Sequence, residues 1–457
     1  LERIGQEVAY SLLGRKEVTM KKQLCFRKWW IYLGVFIGLS GLAACGKEEP
    51  PPVAEEVYEE SNYTLRVKNV QDFEMEKEYE YQEGTDWDWS YLNIHTLSAF
   101  AKGEKGYYVR LDEFIYFCDF EKGTLTPLCS RPDCLHDKET NTAKQKECTA
   151  YLPWGGKGEG IQYYDGKLYA NLYANEFTNE GGIRFSGDRL VAISEDGSSR
   201  EVLDYELEDC YNFMLHRGSI YYTSYMTDPE TLVNTQTVYR IDMESGEKSE
   251  IVRLDGWPVT RVYPLGGYVY ILVPNGEGPT VRKVIYEIQT ARAKVEEGNL
   301  QETLLPDKKG KLLLGTTVNS NQLTVEEIAM DGSQRELVGE LSITNLNDFT
   351  IGQGSDPVIT YWFTADESYF YVFGYIDHHS ENSAIQDYPL EAVFDRNTGE
   401  LLRVFELESR PPAQNFGVDD TYLFYMCDMP YSGETKVYWM KKEDLLKPEA
   451  KFQMMEP

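Results

Sequence analysis

Three cysteines and one histidine fall within 20 residues of one another in a polar part of the chain. They are Cys129, Cys134, His136 and Cys148, and the first three follow the pattern C-x4-C-x-H. Thiolate and imidazole are good ligands for tetrahedral zinc, and three thiolates with one imidazole leave no open coordination position. This donor set therefore predicts a structural zinc centre and no catalytic cofactor.

Disulfides are the competing interpretation of the same cysteines. Residues 20–44 read as an export signal, and disulfides persist in compartments outside the cytosol. Cys118 lies in the preceding strand-like segment and offers a fourth sulfur. A disulfide-only interpretation leaves His136 without a role, and unpaired thiols are a third alternative. The sequence leaves zinc, disulfides and free thiols open.

The segment that holds these residues reads as an insertion between regular elements, at about 127–157. Pro127 and Pro132 interrupt regular structure, and the intervening residues are rich in Asp, Lys, Asn and Thr. Such a polar insertion has almost no hydrophobic core of its own, so a bound metal or a cross-link is expected to hold it.

The framework that carries this insertion reads as a repeat of short, aromatic-rich strands. Gly- or Asp-containing turns separate the strands and supply the positive φ that tight hairpins need. Strand pairs recur near residues 107/116, 168/191, 220/239, 269/286, 312/325, 370/393 and 423/438. Acidic turns recur about every 40–65 residues, and a four-stranded unit of about 40–50 residues is typical of a β-propeller. We predict an all-β propeller over residues 61–457, with seven blades; six or eight blades, or a pair of β-sandwiches, are the alternatives.

An export signal precedes the repeat. Met20 is followed by a basic segment, an apolar run over 29–42, and Leu42-Ala43-Ala44-Cys45. Small residues before a cleavage point suit a signal peptidase. This ending resembles bacterial lipoprotein signals, which implies cleavage before Cys45 and a lipid, including palmitate, on its thiol. We therefore expect a signal peptide at 20–44 and anchoring on the outer face of the cell membrane.

The residues on either side of the signal have separate interpretations. Residues 1–19 precede a credible start at Met20 and read as a non-native upstream extension of the reading frame. Residues 45–60 contain three consecutive prolines flanked by glutamates. Prolines favour an extended backbone and like charges repel, so this segment is expected to be a stiff, acidic tether.

The charge balance narrows the range of partners. The chain has 45 Lys and Arg against 76 Asp and Glu, and residues 1–44 contain 7 basic and 3 acidic residues. The predicted mature protein thus has 38 basic against 73 acidic residues and a formal charge of −35. Repulsion from phosphates argues against nucleic acid. The negative charge of the chain is compatible with cationic or neutral partners at the cell surface.

A known group of proteins shares these features. The segments Asp165-Gly166-Lys167-Leu168-Tyr169 and Val238-Tyr239-Arg240-Ile241-Asp242 resemble the repeats of uncharacterised clostridial-type, Gram-positive surface lipoproteins, written DG-x-LYY and LY-x-ID-x-x-G. The resemblance implies a propeller fold and a membrane-anchored, extracytoplasmic location. It brings no assigned activity.

No catalytic motif stands out in the predicted mature chain, which lacks a G-x-S-x-G elbow, a P-loop, an H-E-x-x-H pair and an EF-hand loop. Asp377-His378-His379 reads as a polar loop, and Trp87 and Trp89 as packing residues. The first hypothesis is a non-catalytic binding or scaffold protein for a glycan, peptide or protein. The alternative is a carbohydrate-active enzyme, a glycoside hydrolase or lyase with carboxylates in the propeller channel. An envelope assembly or transport subunit is a third.

Overall fold

The described residues of the chain form a β-rich structure within the compact unit Pro52–Pro457. In this computed structural model they are 55–60, 62–87, 91–93, 99–153, 160–173, 188–256, 261–274, 280–299, 302–306, 311–319, 322–342, 358–377, 389–405, 415–428 and 435–456. Three strands precede the repeat: β1 (Glu55–Glu59), β2 (Tyr63–Lys68) and β3 (Tyr91–Asn93). The sheet structure therefore includes residues 55–59, which the sequence placed in the tether.

The remaining strands form seven antiparallel sheets, here called blades 1 to 7 in chain order. Blade 1 contains β4 (Phe100–Lys102), β5 (Tyr107–Leu111), β6 (Phe114–Asp119) and β7 (Thr124–Pro127). Blade 2 contains β8 (Ile161–Tyr164), β9 (Lys167–Tyr173), β10 (Asp188–Ser194) and β11 (Arg200–Glu206). Blade 3 contains β12 (Cys210–His216), β13 (Ser219–Thr227), β14 (Asn234–Asp242) and β15 (Lys248–Gly256). Blade 4 contains β16 (Arg261–Leu265), β17 (Tyr268–Pro274), β18 (Thr280–Glu287) and β19 (Arg292–Asn299).

The last three blades follow the same plan. Blade 5 contains β20 (Glu302–Pro306), β21 (Leu312–Asn319), β22 (Gln322–Ile328) and β23 (Glu336–Ser342). Blade 6 contains β24 (Val358–Ala365), β25 (Tyr369–Asp377), β26 (Pro389–Asp395) and β27 (Leu401–Phe405). Blade 7 contains β28 (Asn415–Val418), β29 (Tyr422–Asp428), β30 (Thr435–Lys441) and β31 (Gln453–Met454). The prediction of a seven-bladed β-propeller is confirmed, and the seven strand pairs expected from the repeat are the two middle strands of each blade.

The first strand of each blade is the innermost. First strands of neighbouring blades contact one another, as seen for β4 with β8, β8 with β12, β20 with β24, and β28 with β4. The last of these contacts joins blade 7 to blade 1 and closes the ring. Hairpin turns that link first and second strands therefore lie together at one end of the central channel.

Two-residue turns with positive φ connect several of these hairpins. Asp165 and Gly166 join β8 to β9 with φ of 43° and 80°, and Arg217 and Gly218 join β12 to β13 with φ of 45° and 75°. Positive φ at both positions matches the right-handed twist of the paired strands. The Asp-Gly signal in the sequence thus predicts the turn correctly.

The four strands of blade 7 and the four strands of blade 1 each come from one continuous stretch of chain, and these two blades contact each other through side chains and the C-terminal residues. The ring of Phe100 meets that of Phe424 edge-on at 4.7 Å. Glu456 exchanges backbone hydrogen bonds with the outer strand of blade 1, accepting from Leu125 at 2.8 Å and donating to Gly123 at 2.8 Å. Blade 1 is therefore held by blade 7 at both its inner and its outer edges.

The residues before blade 1 bind to several blades in succession. Strand β2 pairs with β15 at the outer edge of blade 3, and β3 pairs with β28 at the inner edge of blade 7. Between them, Lys77 accepts a backbone hydrogen bond from Met330 of blade 5, and Gly84 accepts one from Asp165 of blade 2. This N-terminal segment thus links blades that are far apart in sequence.

Tyrosine accounts for much of the packing between and within blades. The largest fully buried side chains include Tyr108, Tyr221, Tyr222, Tyr371 and Tyr425. Aromatic side chains suit the pleated, half-covered faces of strands, which explains their abundance here. Among the described residues, short helical turns occur at His136–Lys138 and Lys442–Asp444, with one short helix, α1 (Thr142–Gln145). No helix in this described part is long and apolar enough to cross a membrane.

Candidate metal centre and channel cavity

The connection between blades 1 and 2 brings the four predicted ligands together. One ligand atom from each of Cys129, Cys134, His136 and Cys148 lies within 4.8 Å of the other three. Cys148 Sγ and His136 Nδ1 lie 3.6 Å apart. Cys148 is fully buried and the other three are half-buried. The cluster is therefore compact and largely shielded from solvent.

Local backbone structure places each ligand. Leu128 donates to the carbonyl of Ile115, which holds the chain against β6 just before Cys129. His136 has a φ of +53° and opens the short turn His136–Lys138. Asn141 caps α1 through hydrogen bonds from two backbone N–H groups, and Cys148 follows that helix. Turns and a capped helix thus fold a polar segment around the four side chains.

The separation of sulfur and nitrogen suits a tetrahedral ion. Zinc bonds of about 2.3 Å to sulfur and about 2.0–2.1 Å to nitrogen place the two ligand atoms about 3.6 Å apart at a tetrahedral angle. The distance between Cys148 Sγ and His136 Nδ1 is 3.6 Å. The four residues could therefore hold a metal ion.

The thiols of the cluster differ in their electrostatics. Burial opposes ionisation of Cys129, but hydrogen bonds from Thr149 and from the backbone at Arg131 outweigh it and lower the pKa of this thiol. Burial raises the pKa of Cys148 to about 12, and the neighbouring sulfurs of Cys129 and Cys134 act in the same direction. A cation among these sulfurs would remove that mutual repulsion.

Cys118 does not belong to the cluster. The sequence offers it as a fourth sulfur, but in the structure it is a buried free thiol on β6, and burial raises the pKa of that thiol. Cys129, Cys134 and Cys148 are likewise free thiols. The fourth donor beside the three cysteines is instead the imidazole of His136.

Blade 2 contributes a cation that the sequence did not single out. Arg200, the first residue of β11, donates to three backbone carbonyls of the connection: Lys146 at 2.7 Å, Cys148 at 2.8 Å and Tyr151 at 2.5 Å. Burial lowers the pKa of its guanidinium to about 10, and the sulfurs of Cys148 and Cys129 act in the opposite direction. Arg200 therefore remains charged at neutral pH beside the cluster.

The turn before β11 also touches the cluster. Gly197 has a φ of +65°, and a Cβ placed there would lie 2.6 Å from the carbonyl carbon of Leu128 and 2.7 Å from the amide nitrogen of Cys129. Its own carbonyl accepts from Ser130 at 3.2 Å and from the Thr149 hydroxyl at 2.7 Å. Glycine is required here because the two backbones approach so closely.

A second candidate site is a cavity of about 740 Å³ at the end of the channel that carries the inner hairpin turns. It lies between the first strands of blades 1 and 2, the β28–β29 turn of blade 7, and residues 81–87 of the N-terminal segment. Among its described lining residues, Lys102 is the one lysine or arginine. The carboxyl side chains that line it are Glu83, Asp86, Glu104, Asp165, Asp419 and Asp420.

Two of these carboxylates are engaged by protein groups. Asp419 accepts from Lys102 Nζ at 2.8 Å and from the Tyr107 hydroxyl. Burial opposes ionisation of Asp419, but these two hydrogen bonds and two from the backbone lower the pKa of its carboxyl group. Asp86 receives Arg217 Nε at 2.6 Å and Nη2 at 3.0 Å. Both carboxylates thus have structural partners.

Aromatic groups complete the cavity wall. Tyr81, Trp87, Phe100 and Tyr163 all line it. Trp87 is buried, and its backbone N–H donates to Nδ1 of the buried His216 at 3.0 Å. The sequence interpretation of Trp87 as a packing residue agrees with this burial. A wall of rings and carboxylates suits a ligand with hydroxyl or amine groups.

Several residues named from the sequence lie outside the described residues. These are Cys45 with the preceding signal segment, Trp89, and the pair His378 and His379. The side chain of Asp377 is also outside them.

Comparison with known proteins yields distant structural likenesses. No family model and no curated protein sequence matches the chain. A protein from Lactobacillus plantarum is 12% identical with a TM-score of 0.41, over 80% of this chain and 95% of that one. An acylaminoacyl peptidase from Pyrococcus horikoshii is 10% identical with a TM-score of 0.42, over 89% of this chain and 52% of that one. The β-propeller domain of a Pyrococcus furiosus trilobed protease is 10% identical with a TM-score of 0.32, over 65% and 96%.

The chain spans about half the length of the acylaminoacyl peptidase that it matches. Likenesses at this level carry no argument about function. The seven sheets of the chain itself establish the propeller fold.

Proposed function

We propose that the protein is a lipid-anchored, extracytoplasmic binding or scaffold protein without catalytic activity. The observation that carries this proposal is the channel cavity of about 740 Å³, lined by carboxylates and aromatic rings. Its occupant is a glycan or peptide that offers hydroxyl or amine groups to these carboxylates. The excess of acidic residues in the chain supports such a neutral or cationic ligand.

The engagement of Asp419 and Asp86 favours binding over catalysis at these two carboxylates. A glycosidase needs one carboxyl group with a raised pKa to act as an acid. In Asp419 the pKa is lowered, and Lys102 and Tyr107 donate hydrogen bonds to the carboxylate. Asp419 is therefore unsuited to act as the acid, and a carbohydrate-active enzyme is the alternative function that product analysis tests.

Binding is tested with cavity variants of the full-length protein in detergent. Glu104→Gln and Asp420→Asn remove exposed cavity charges, whereas Glu121→Gln and Asp444→Asn remove charges outside the cavity. Arrays of neutral and amine-bearing glycans, together with oligolysine peptides, identify a ligand. We expect only the cavity variants to weaken its binding. Equal binding by all four variants, or cleaved glycans in mass spectra, would overturn the proposal.

The anchor proposal rests on Leu42-Ala43-Ala44-Cys45 and on the resemblance to Gram-positive, clostridial-type lipoproteins. Cys45 receives the lipid after removal of residues 20–44, and the 45–60 segment connects it to the propeller. Labelling with a palmitate analogue in a bacterial host tests this. Cys45→Ser should abolish labelling and membrane association, while Cys25→Ser, within the signal, should retain both. Labelled Cys45→Ser protein would refute the anchor.

The metal proposal is a structural zinc ion held by Cys129, Cys134, His136 and Cys148. Four protein ligands leave no position for a reactive water, so the ion stabilises the insertion and takes no part in a reaction. Metal analysis and thiol counting on the purified protein test this. One zinc per chain is expected, and two oxidised cysteine pairs without zinc would refute it.

A further inference from the structure

We infer that Arg200 completes the metal centre from the neighbouring blade, so that metal binding and the attachment of the β10–β11 hairpin to the insertion are coupled. This inference rests on the proposed zinc ion. Arg200 acts as a positioning and charge-balancing residue, since its guanidinium contacts carbonyls that flank a ligand and not the ligand atoms themselves.

The charge of the metal-loaded centre requires a nearby cation. Zinc with three thiolates and one neutral imidazole carries a net charge of about −1. A buried charge is costly unless an opposite charge accompanies it. Arg200 supplies one positive charge whose neighbours include the sulfurs of Cys148 and Cys129. The metal-loaded centre and Arg200 are together neutral.

The hydrogen bonds of Arg200 fix the backbone around Cys148. The three carbonyls that Arg200 contacts belong to Lys146, Cys148 and Tyr151, which surround the most buried ligand on both sides. Arginine presents several donors in a rigid fork, so it fixes this short stretch of backbone in one arrangement. Groups that orient metal ligands in this way contribute substantially to metal affinity.

Arg200 lies close to a second contact between the β10–β11 hairpin and the insertion. Arg200 begins β11, three residues after Gly197, whose carbonyl accepts from Ser130 and Thr149 of the insertion. The β10–β11 hairpin therefore contacts the insertion at two points, through the carbonyl of Gly197 and through the guanidinium of Arg200. Folding of the insertion around a metal would order both contacts at once.

Blade 6 contains an arginine, Arg403, with the same kind of contacts as Arg200, but the described residues form no metal-ligand cluster beside it. Arg403, on β27, donates to the carbonyls of Leu445 at 2.5 Å, Lys447 at 2.8 Å and Ala450 at 2.5 Å in blade 7. Like Arg200, it lies on the outermost strand of its blade and contacts three carbonyls of a neighbouring segment. Arg403→Met is therefore a control for the loss of the fork alone.

The test measures zinc affinity of the reduced, full-length protein by competition with a chromophoric chelator. Arg200→Met should weaken zinc binding by about 10–100-fold, as is usual for loss of a group that orients metal ligands. Arg200→Lys keeps the positive charge but not the planar fork of donors, so its zinc affinity should lie between those of the wild type and Arg200→Met. Arg403→Met should bind zinc as the wild type does. If Arg200→Met binds zinc as tightly as Arg403→Met, the inference is wrong.

Hydrogen exchange provides a second readout that does not depend on affinity. Removing zinc from the wild type should speed amide exchange both in residues 128–151 and in residues 195–206. In Arg200→Met, removal should affect 128–151 and the Gly197 turn but no longer residues 200–206, because the Gly197 contact remains. Unchanged exchange in 195–206 of the wild type would overturn the coupling. A wild type that binds no zinc at all would instead refute the proposed metal, which separates the two failures.

Discussion

The contact between Gly197 and the insertion yields the sharpest prediction. Alanine at this position must adopt a φ of +65° and must place a methyl group 2.6 Å from the carbonyl carbon of Leu128. Left-handed backbone costs an L-residue about 1–2 kcal/mol. The clash involves backbone on both sides, so neither partner can rotate away, and overpacking of this kind costs about 1–3 kcal/mol more.

Gly246 separates these two effects. It occupies the corresponding turn of blade 3, between β14 and β15, with a φ of +71° and nothing within 4 Å of its Cβ position. Gly246→Ala should therefore lower the free energy of unfolding by about 1–2 kcal/mol. Gly197→Ala should lower it by about 2–5 kcal/mol, because the clash adds to the backbone term.

Equilibrium denaturation with the metal present compares the two variants with the wild type. The chelator competition described above should also show weaker zinc binding in Gly197→Ala, because the methyl group displaces the backbone at Cys129. Gly246→Ala should bind zinc normally. Equal destabilisation of the two variants, with equal zinc affinity, would refute the close approach as the cause.

Three further predictions concern charge and metal. Asp419→Asn should lower the free energy of unfolding by about 1.5–3 kcal/mol, because it weakens the hydrogen bonds that Lys102 and Tyr107 donate to this buried carboxylate. Asp420→Asn, at the exposed neighbouring position, should lower it by about 0.5 kcal/mol or less. Because the pKa of Asp419 is lowered in the folded protein, its ionised carboxylate stabilises the fold above about pH 3.9, and this stabilisation is lost as the pH falls through the folded-state pKa. In Asp419→Asn the free energy of unfolding should therefore fall less steeply over this pH range, as measured by acid denaturation. Burial lowers the pKa of His216 to about 4, so the wild type should lose stability as the pH falls from about 6.5 towards 4, and His216→Gln should reduce that loss in denaturation curves. A chelator should lower the thermal midpoint of the wild type but not of Cys134→Ser, as measured by circular dichroism; equal shifts would exclude the cluster as the metal site.

Local features of the sequence predict the fold well. The alternation of aromatic residues between Asp- and Gly-containing turns identifies the two middle strands of each of the seven blades. Hairpin partners lie within about 30 residues of each other, so their pairing is encoded by local alternation and turn chemistry. The start of the sheet is less predictable, because β1 is rich in glutamate and pairs with β2, whose other edge joins the distant strand β15 of blade 3.

The same distinction applies to the candidate sites. By itself, the sequence determined the repeat and the four metal-ligand candidates and favoured seven blades over six or eight, because each depends on residues that are close together in the chain. Only the tertiary structure brought Arg200 to Cys148 and Gly197 to Leu128, from the next blade. It also assembled the channel cavity from blades 1, 2 and 7. Contacts between blades join residues about 50 to more than 300 positions apart, and no periodicity within one blade specifies which side chains of another will face it.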